Sequence, residues 1–426
     1  MPLARSAAQG FFPLDEELAL LPGRFTPSLQ EALVRLGTRM PFAAAVQDLK
    51  FFAHVTTTAA TLRRHTETVG AAYVALQTEA VERLERTAPP APEGPVRQLV
   101  SVDGATVPLL HGEWAEVKTV AIGDIQPPVL EHGEAVVHTT DLSYFSRLAE
   151  AESFNRLATV ETHRRGTERA GTVCAVSDGA EWIQGFIDLH RHDAVRILDF
   201  YHAAGYVSQV GQAVLGDGTA EFQTWLTTTL HVLKQASPDQ VLNTLHEMQA
   251  ELEGGSASAE TLDRVRIALQ YLEKRRPQLE YARFQAAGYP IGSGSVESGN
   301  KLVIEARLKG AGMHWARDHV NPLVALRNLL CSERWEQDWP QLAARRRAEH
   351  WQARQQRQRA RHRARPTVTA SEASAPPIPV APVKPQRSAH AKSKQPYRPP
   401  PNHPWRHLTI GRARFKPYRS EREPKL

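Results

Sequence analysis

Val173-Cys174-Ala175-Val176-Ser177-Asp178-Gly179 is a run of small and β-branched residues that ends on a carboxylate and a glycine. Val100-Ser101-Val102-Asp103-Gly104 has the same ending earlier in the chain. Short apolar runs bounded by glycine read as buried strands. A third acid, Glu297, has a different setting: in Ile291-Gly292-Ser293-Gly294-Ser295-Val296-Glu297-Ser298 a glycine-serine loop opens a helical pattern. Taken singly, an Asp-Gly pair after a strand is a turn signal. Two strand ends and a helix start together are a way to gather carboxylates at one edge of a sheet.

Working outward, Val96 to Asp103, Ala105 to Leu110 and Trp114 to Ile122 predict three consecutive antiparallel strands, separated by Gly104 and by His111-Gly112. An amphipathic stretch from about Asp141 to Arg165, with Leu148, Ala151, Leu157 and Val160 in helical spacing, ends at Gly166. The strand Thr172 to Val176, a helix from Ala180 to Leu189 and the strand Ala194 to Leu198 follow. Three strands, helix, strand, helix, strand is the order of a ribonuclease H-like α/β fold, a mixed sheet flanked by helices. In that fold the first and fourth strands are neighbours, which would bring Asp103 and Asp178 together. Asp199-Phe200-Tyr201-His202 then sets Asp199 and His202 one helical turn apart. An accessory metal or phosphate role fits His202, and so does a satisfied histidine at a helix start.

The expected organisation is a helical region over 1–88, a stiff Pro-rich linker over 89–95, a first core segment over 96–216, an all-helical insertion over 217–285, a second core segment over 286–340 and a basic, Pro-rich, largely disordered tail over 341–426. Within the first region, helices around 41–52 and 58–70 fit a helix-turn-helix in which Thr57 or Thr58 caps a recognition helix carrying Arg63 and Arg64; an ordinary helical hairpin has the same spacing. Ser237-Pro238-Asp239-Gln240 signals a capped helix start inside the insertion. The amides of the glycine-serine loop favour phosphate, and Lys301, Arg307 and Lys309 follow it. Trp225 and Trp315 are either core residues or platforms for an unstacked base.

The net charge of +6 is unevenly spread: residues 341–426 carry 21 Lys and Arg against 4 Asp and Glu, so the tail is +17 and the preceding 340 residues are −11. A polyanionic partner suits such a tail. Its last part, Trp405 to Arg419, interleaves aromatics with basic residues. No apolar run approaches the roughly 20 residues that span a bilayer, so no membrane role is expected. Two cysteines, Cys174 and Cys331, in apolar surroundings argue for buried thiols rather than a disulfide framework or a zinc ribbon.

Converging carboxylates repel one another and cost desolvation, so such a cluster generally holds divalent cations. An Asp, Asp, Glu set of hard oxygen ligands points to phosphoryl chemistry on a nucleic acid, with two ions about 3.5–4 Å apart. Ser177-Asp178-Gly179-Ala180-Glu181-Trp182, Asp199-Phe200-Tyr201-His202, Ile291 to Lys301 and Arg307-Leu308-Lys309-Gly310-Ala311-Gly312-Met313-His314-Trp315 together resemble the DDE transposases of ISKra-type bacterial insertion sequences, relatives of the Mutator-like group. The resemblance runs from the Phe11 to Glu16 segment to His403-Pro404-Trp405.

It implies Asp103, Asp178 and Glu297 as catalytic metal ligands, Asp199 and His202 as the Asp-x-x-His signature, and two Mg²⁺ or Mn²⁺ ions. DNA contacts are expected through Arg63, Arg64, Lys301, Arg307, Lys309 and Trp315, from the readings of those segments given above. The implied activity is metal-dependent cleavage and strand transfer at terminal inverted repeats, by a homo-oligomer on DNA in the bacterial cytoplasm and nucleoid. The family's cysteine-rich zinc stretch ahead of Phe11 has no counterpart here, which implies an N-terminally shortened copy. Two other readings stay open: a non-catalytic DNA-binding regulator derived from such an enzyme, and a ribonuclease H-like nuclease that cuts without joining.

Overall fold

A five-stranded mixed sheet with helices on both faces organises the chain. The computed structural model describes residues 25–131, 134–255 and 257–363. These belong to a unit Met1–Arg365, and a second unit, Pro366–Leu426, lies outside them. The Phe11 to Glu16 segment and the part of the expected disordered tail beyond residue 363, with its Trp405 to Arg419 mixture, also fall outside the described residues.

The sheet contains β1 (Arg97–Pro108), β2 (Trp114–Ile125), β5 (Thr139–Arg147), β6 (Thr172–Ser177) and β7 (Val195–Leu198), in the order β5-β2-β1-β6-β7. β3 (Val129–Glu131) and β4 (Glu134–Val136) form a separate small hairpin. β2 pairs antiparallel with β1 and β5, whereas β6 pairs parallel with β1 and β7. β6 and β1 are therefore neighbours, as the element order predicts.

Two strand expectations need correction. Val96 to Asp103 and Ala105 to Leu110 are one strand: Gly104 pairs with Lys118 inside the ladder, on a backbone packed so closely under the Glu116 side chain that a Cβ would collide with it. The third antiparallel strand is β5, which occupies the start of the stretch expected to be helical. Thr139, Thr140, Tyr144 and Phe145 are strand formers, and the helix begins only at Ala151.

One face of the sheet buries Val100, Val102, Val120, Val173 and Ala175 under Phe154 and Ala158 of α4 (Ala151–Arg164) and Ile183, Phe186 and Ile187 of α5 (Glu181–Arg191). The other face carries two cores. Leu99, Cys174, Val176 and Ile197 lie under α6 (Phe200–Leu215), α7 (Ala220–Gln235), α8 (Pro238–Gly254), α9 (Ala259–Lys274) and α10 (Tyr281–Ala286). α8 starts as its sequence signals, with Pro238 in its first turn and the Ser237 hydroxyl accepting from the Asp239 amide at 3.3 Å. Ala105, Val107, Val117 and Tyr144 lie under α11 (Gly294–Gly299), a π-helical turn (Asn300–Glu305), α12 (Ala306–Leu308) and α13 (Arg317–Cys331). Fully burying a large apolar side chain is worth about 1.5–3 kcal/mol, so these layers fix the strand register. Cys174 is a buried free thiol and Cys331 a half-buried one.

α1 (Pro27–Arg39), α2 (Phe42–Ala53) and α3 (Ala59–Thr87) precede the sheet. Val34, Val69, Ala72 and Tyr73 pack with Ala325, Leu326 and Leu329 of α13 and with Trp335, Trp339 and Leu342 of α14 (Trp335–Arg363). Thr58 caps α3, accepting from the Thr61 amide at 3.1 Å. α3 nevertheless runs 29 residues and is buried at Leu62, Thr66, Val69, Gly70 and Tyr73, so it is a core element from its first turns. α14 crosses Pro340 without a break, so residues 341–363 are helical. No helix among the described residues is long and apolar enough to cross a membrane.

Candidate functional site

Parallel pairing of β1 and β6 sets Leu99 beside Cys174 and Val102 beside Ser177. One step further in that register stand Asp103 and Asp178. Side chains alternate along a strand, so Asp103 projects from the same face as Leu99 and Ala105, between the two cores of that face. Asp103 is half-buried and accepts from Asn300 Nδ2 at 2.8 Å. Burial pushes its carboxyl above the ordinary range and the Asp178 charge adds to this, against the opposing bonds from the Gly104 amide and Asn300.

Asp178 begins a turn in which its Oδ1 accepts from the Ala180 amide at 2.9 Å and Gly179 takes a positive φ of 79°. α9 grips that turn: the Tyr271 hydroxyl donates to the Asp178 carbonyl, and the buried Arg275 donates from Nε at 2.9 Å, and from Nη2, to the Gly179 carbonyl. The helical insertion thus holds one catalytic candidate by its backbone.

Asp199 is fully buried at the start of α6. Its Oδ1 accepts from the His202 amide at 2.8 Å and meets His202 Nδ1 at 3.2 Å, while its Oδ2 accepts from the Ser293 amide at 2.7 Å. Burial works to raise the Asp199 carboxyl, but the bonds from His202 and Ser293 outweigh it and hold it below the usual range. The same bond to Asp199 raises His202 above its ordinary value against desolvation, with help from the charges of Asp199, Asp178 and Asp103. Asp199 therefore ties α6 to the glycine-serine loop. The Ser293 amide, expected to be open to phosphate, is already used.

The Ser293 hydroxyl donates to Glu297 Oε1 at 2.8 Å. Glu297 is exposed, and Asn300, one helical turn on, is the residue that touches Asp103. The π-helical turn from Asn300 to Glu305 leaves carbonyls off the ordinary ladder, a deviation frequent at functional sites. Arg327 fills the gap, donating from Nε to the Val303 carbonyl at 3.2 Å and from Nη2 to the Leu302 carbonyl. Among the described residues no group of three or more His, Cys, Asp or Glu side chains is arranged to hold a metal ion. What converges is the pair Asp103 and Asp178 with His202 and Asp199 beside them, and Glu297 is turned onto Ser293.

Sequence reasoning missed Asn300, Ser293, Tyr271 and Arg275. Only Asn300 carried a signal, its helical i, i+3 spacing from Glu297.

The expected DNA contacts divide. Arg63, Arg64 and Lys301 are exposed, and Lys309 is half-buried with its ammonium 2.7 Å from Glu305. Arg307 and Trp315 are corrected: they are 1% and 8% exposed and belong to the core. The Arg307 guanidinium lies 4.6 Å from the Phe42 ring centroid and 5.2 Å from that of Trp315, and donates to the Gly37 carbonyl at 3.1 Å. The Trp315 indole donates to the Leu308 carbonyl at 2.9 Å and cannot stack on a base without unfolding this packing. Trp225 is half-buried against Gly211, which leaves no room there for a side chain.

Compared with known protein families and with curated proteins, the chain finds no match.

Proposed function

We propose that the chain is a DDE-type DNA transposase with a ribonuclease H-like catalytic core, cutting and joining DNA at the ends of an ISKra-type insertion sequence. The observation that carries this reading is the register of β1 and β6, whose last pair is Val102 with Ser177, so that Asp103 and Asp178 are the next residues of the two strands, where β6 ends beside β1. The strand order β5-β2-β1-β6-β7, with three antiparallel strands followed by two parallel ones, supports the ribonuclease H-like assignment.

The donor set fits hard divalent cations. Asp103 and Asp178 offer carboxylate oxygens, and burial together with their mutual repulsion is what a bound cation would relieve. Glu297, exposed and bonded to the Ser293 hydroxyl, is the third candidate ligand. Two Mg²⁺ or Mn²⁺ ions, when bound, supply Lewis-acid activation of the scissile phosphate and of the attacking water or 3′-hydroxyl. The protein's own part is positioning: Asn300 orients one Asp103 oxygen, Tyr271 and Arg275 hold the Asp178 turn, and Asp199 joins His202 to the loop before Glu297. The Asp199 bond and the charges of Asp178 and Asp103 favour the protonated form of His202, so a phosphate brought to these acids would meet a donor there.

The test uses a supercoiled plasmid carrying the DNA that flanks the gene. With Mg²⁺ or Mn²⁺ the wild-type chain nicks it at the element ends and joins the freed 3′-ends to target DNA. Asp103→Asn, Asp178→Asn and Glu297→Gln lose cutting by about a hundredfold or more while still binding DNA. Wild-type cutting rates in Asp103→Asn would end the assignment, and cutting without joined products would reduce it to a nuclease. A second reading, a DNA-binding regulator without catalysis, is favoured by the lack of a three-ligand group among the described residues. Wild-type binding with no cutting in either cation would select it.

A further inference from the structure

Phe51 and Phe52 close α2 and stand 74% and 77% exposed, their rings edge to face with centroids 4.8 Å apart. The helix buries Ala45 and Leu49 instead, so the pair takes no part in its packing. His54, in the left-handed conformation with φ 54°, then turns the chain through Thr56-Thr57-Thr58 into α3. No acidic residue lies between Asp48 and Glu67, while Lys50, Arg63 and Arg64 supply three cations. Arg63 reaches only 3.8 Å from Glu67, and Lys50 and Arg64 have no ion-pair partner among the described residues. Asp48 lies one helical turn before the pair, but from Leu49 to Thr66 every charged residue is basic, and exposed aromatics leading into such a segment are complementary to a polyanion with an apolar interior.

We propose that Phe51-Phe52 is a wedge that enters duplex DNA between base pairs, with Lys50, Arg63 and Arg64 on the flanking phosphates, an inference that rests on the DNA-handling reading above. Inserted apolar side chains unstack a base step and kink the duplex by roughly 20–90°. Cations on either side hold the strands while the step opens. An anionic membrane would also attract aromatics and cations. Interfacial membrane binding, however, uses an apolar stripe along a whole helix face, whereas here two rings project from a corner with the exposed hydroxyl of Thr56 beside them.

The test is metal-free, so it does not depend on catalysis. A mixed-sequence duplex of about three helical turns, labelled at both ends, reports binding by anisotropy and bending by energy transfer. Wild type binds and bends it. Phe51→Ala/Phe52→Ala, which removes only exposed rings, binds about tenfold more weakly, leaves the duplex straight at saturation and keeps the salt dependence. Lys50→Ala/Arg64→Ala still bends the duplex at saturation but lowers the slope of log affinity against log salt by about 1.8.

The proposal is overturned by equal bending in the phenylalanine variant, by a wild type that does not bind the duplex, by loss confined to phosphatidylserine vesicles, or by a change only in self-association. Failure of the transposase reading has its own signature, plasmid that stays uncut with Mg²⁺ whatever happens to bending.

Discussion

Asp103 ionises against its own burial and against Asp178. A carboxyl whose folded value is raised destabilises the fold once ionised, so its cost is absent below the unfolded value, grows as pH rises from there and is complete above the folded value. Asp103→Asn should therefore raise metal-free stability at neutral pH by about 1 kcal/mol, since the amide keeps an acceptor for Asn300 and drops the charge. Millimolar Mg²⁺ should raise the melting temperature of the wild type and leave the variant's unchanged. Calorimetry with and without Mg²⁺ checks both, and a variant less stable than wild type without metal would contradict the repulsion. At this scale Asp103, Asp178 and Asp199 were legible in the sequence because carboxylates after apolar runs are rare and local. Arg307 and Trp315 were misread because their surroundings, Phe42 and Gly37, come from a segment far away in the chain. A basic residue on a helix reads as surface unless its distant neighbour is known.

Three helices meet at one carboxylate, and that meeting shows what elements add to residues. Asp338 of α14 accepts from Arg164 of α4 at 2.8 and 3.0 Å and from the Tyr73 hydroxyl of α3 at 2.6 Å. Burial works to raise its carboxyl, and the bonds from Arg164 and Tyr73 outweigh it and hold it low. A depressed acid contributes stability above its unfolded value, about 4, and loses it as pH falls through the lower folded value. Asp338→Asn should cost about 1–3 kcal/mol at neutral pH, at the lower end because Arg164 is partly exposed, and the gap to wild type should close in acid. Urea unfolding at neutral pH and below pH about 4 reads this, and a gap that widens in acid would contradict it.

α9 makes a similar connection to the site. Tyr271→Phe keeps the ring stacked on Tyr206 at 4.0 Å but frees the Asp178 carbonyl. It should leave the fold intact and cut plasmid about tenfold more slowly, with part of the loss recovered at higher Mg²⁺. Unchanged cutting at every Mg²⁺ concentration would make the contact merely structural. β6 was legible because a strand buried on both faces is an apolar run, and β7 because Val195, Ile197 and Leu198 are β-branched or apolar residues around a single Arg196. β5 was not, since the helical spacing of Leu148, Ala151, Leu157 and Val160 was extended back to Asp141 over a real strand, and the ladder with β2 decides the matter.

At the scale of the whole molecule, the candidate site is assembled from β1, β6, α6, α9 and α11, so no contiguous piece of chain contains it. The same holds for stability at the N-terminus. α1 and α3 share a core with α13 and α14, in which Val34, Val69, Ala72 and Tyr73 meet Ala325, Leu326, Leu329, Trp335 and Trp339. Gly70 lies so close against the Pro322 backbone that a side chain there would collide with it. Arg345 of α14 pairs with Glu79 of α3 and Arg156 of α4 with Glu85 at 2.7 Å, so polar contacts fasten the same helices from outside. The Pro89 to Pro95 segment looked like a boundary because prolines cannot continue a helix, and sequence alone has no way to say that the elements on its two sides are packed together. Removing the N-terminal helices would expose several large apolar side chains, each worth about 1.5–3 kcal/mol when buried, against a total stability of about 5–15 kcal/mol. A protease site placed at Pro92 should accordingly cut the backbone without separating the pieces. The two fragments should elute together and unfold in one transition. An N-terminal fragment that leaves the column alone and remains folded would show that the helices are an independent module, and that the shared core contributes little to holding them.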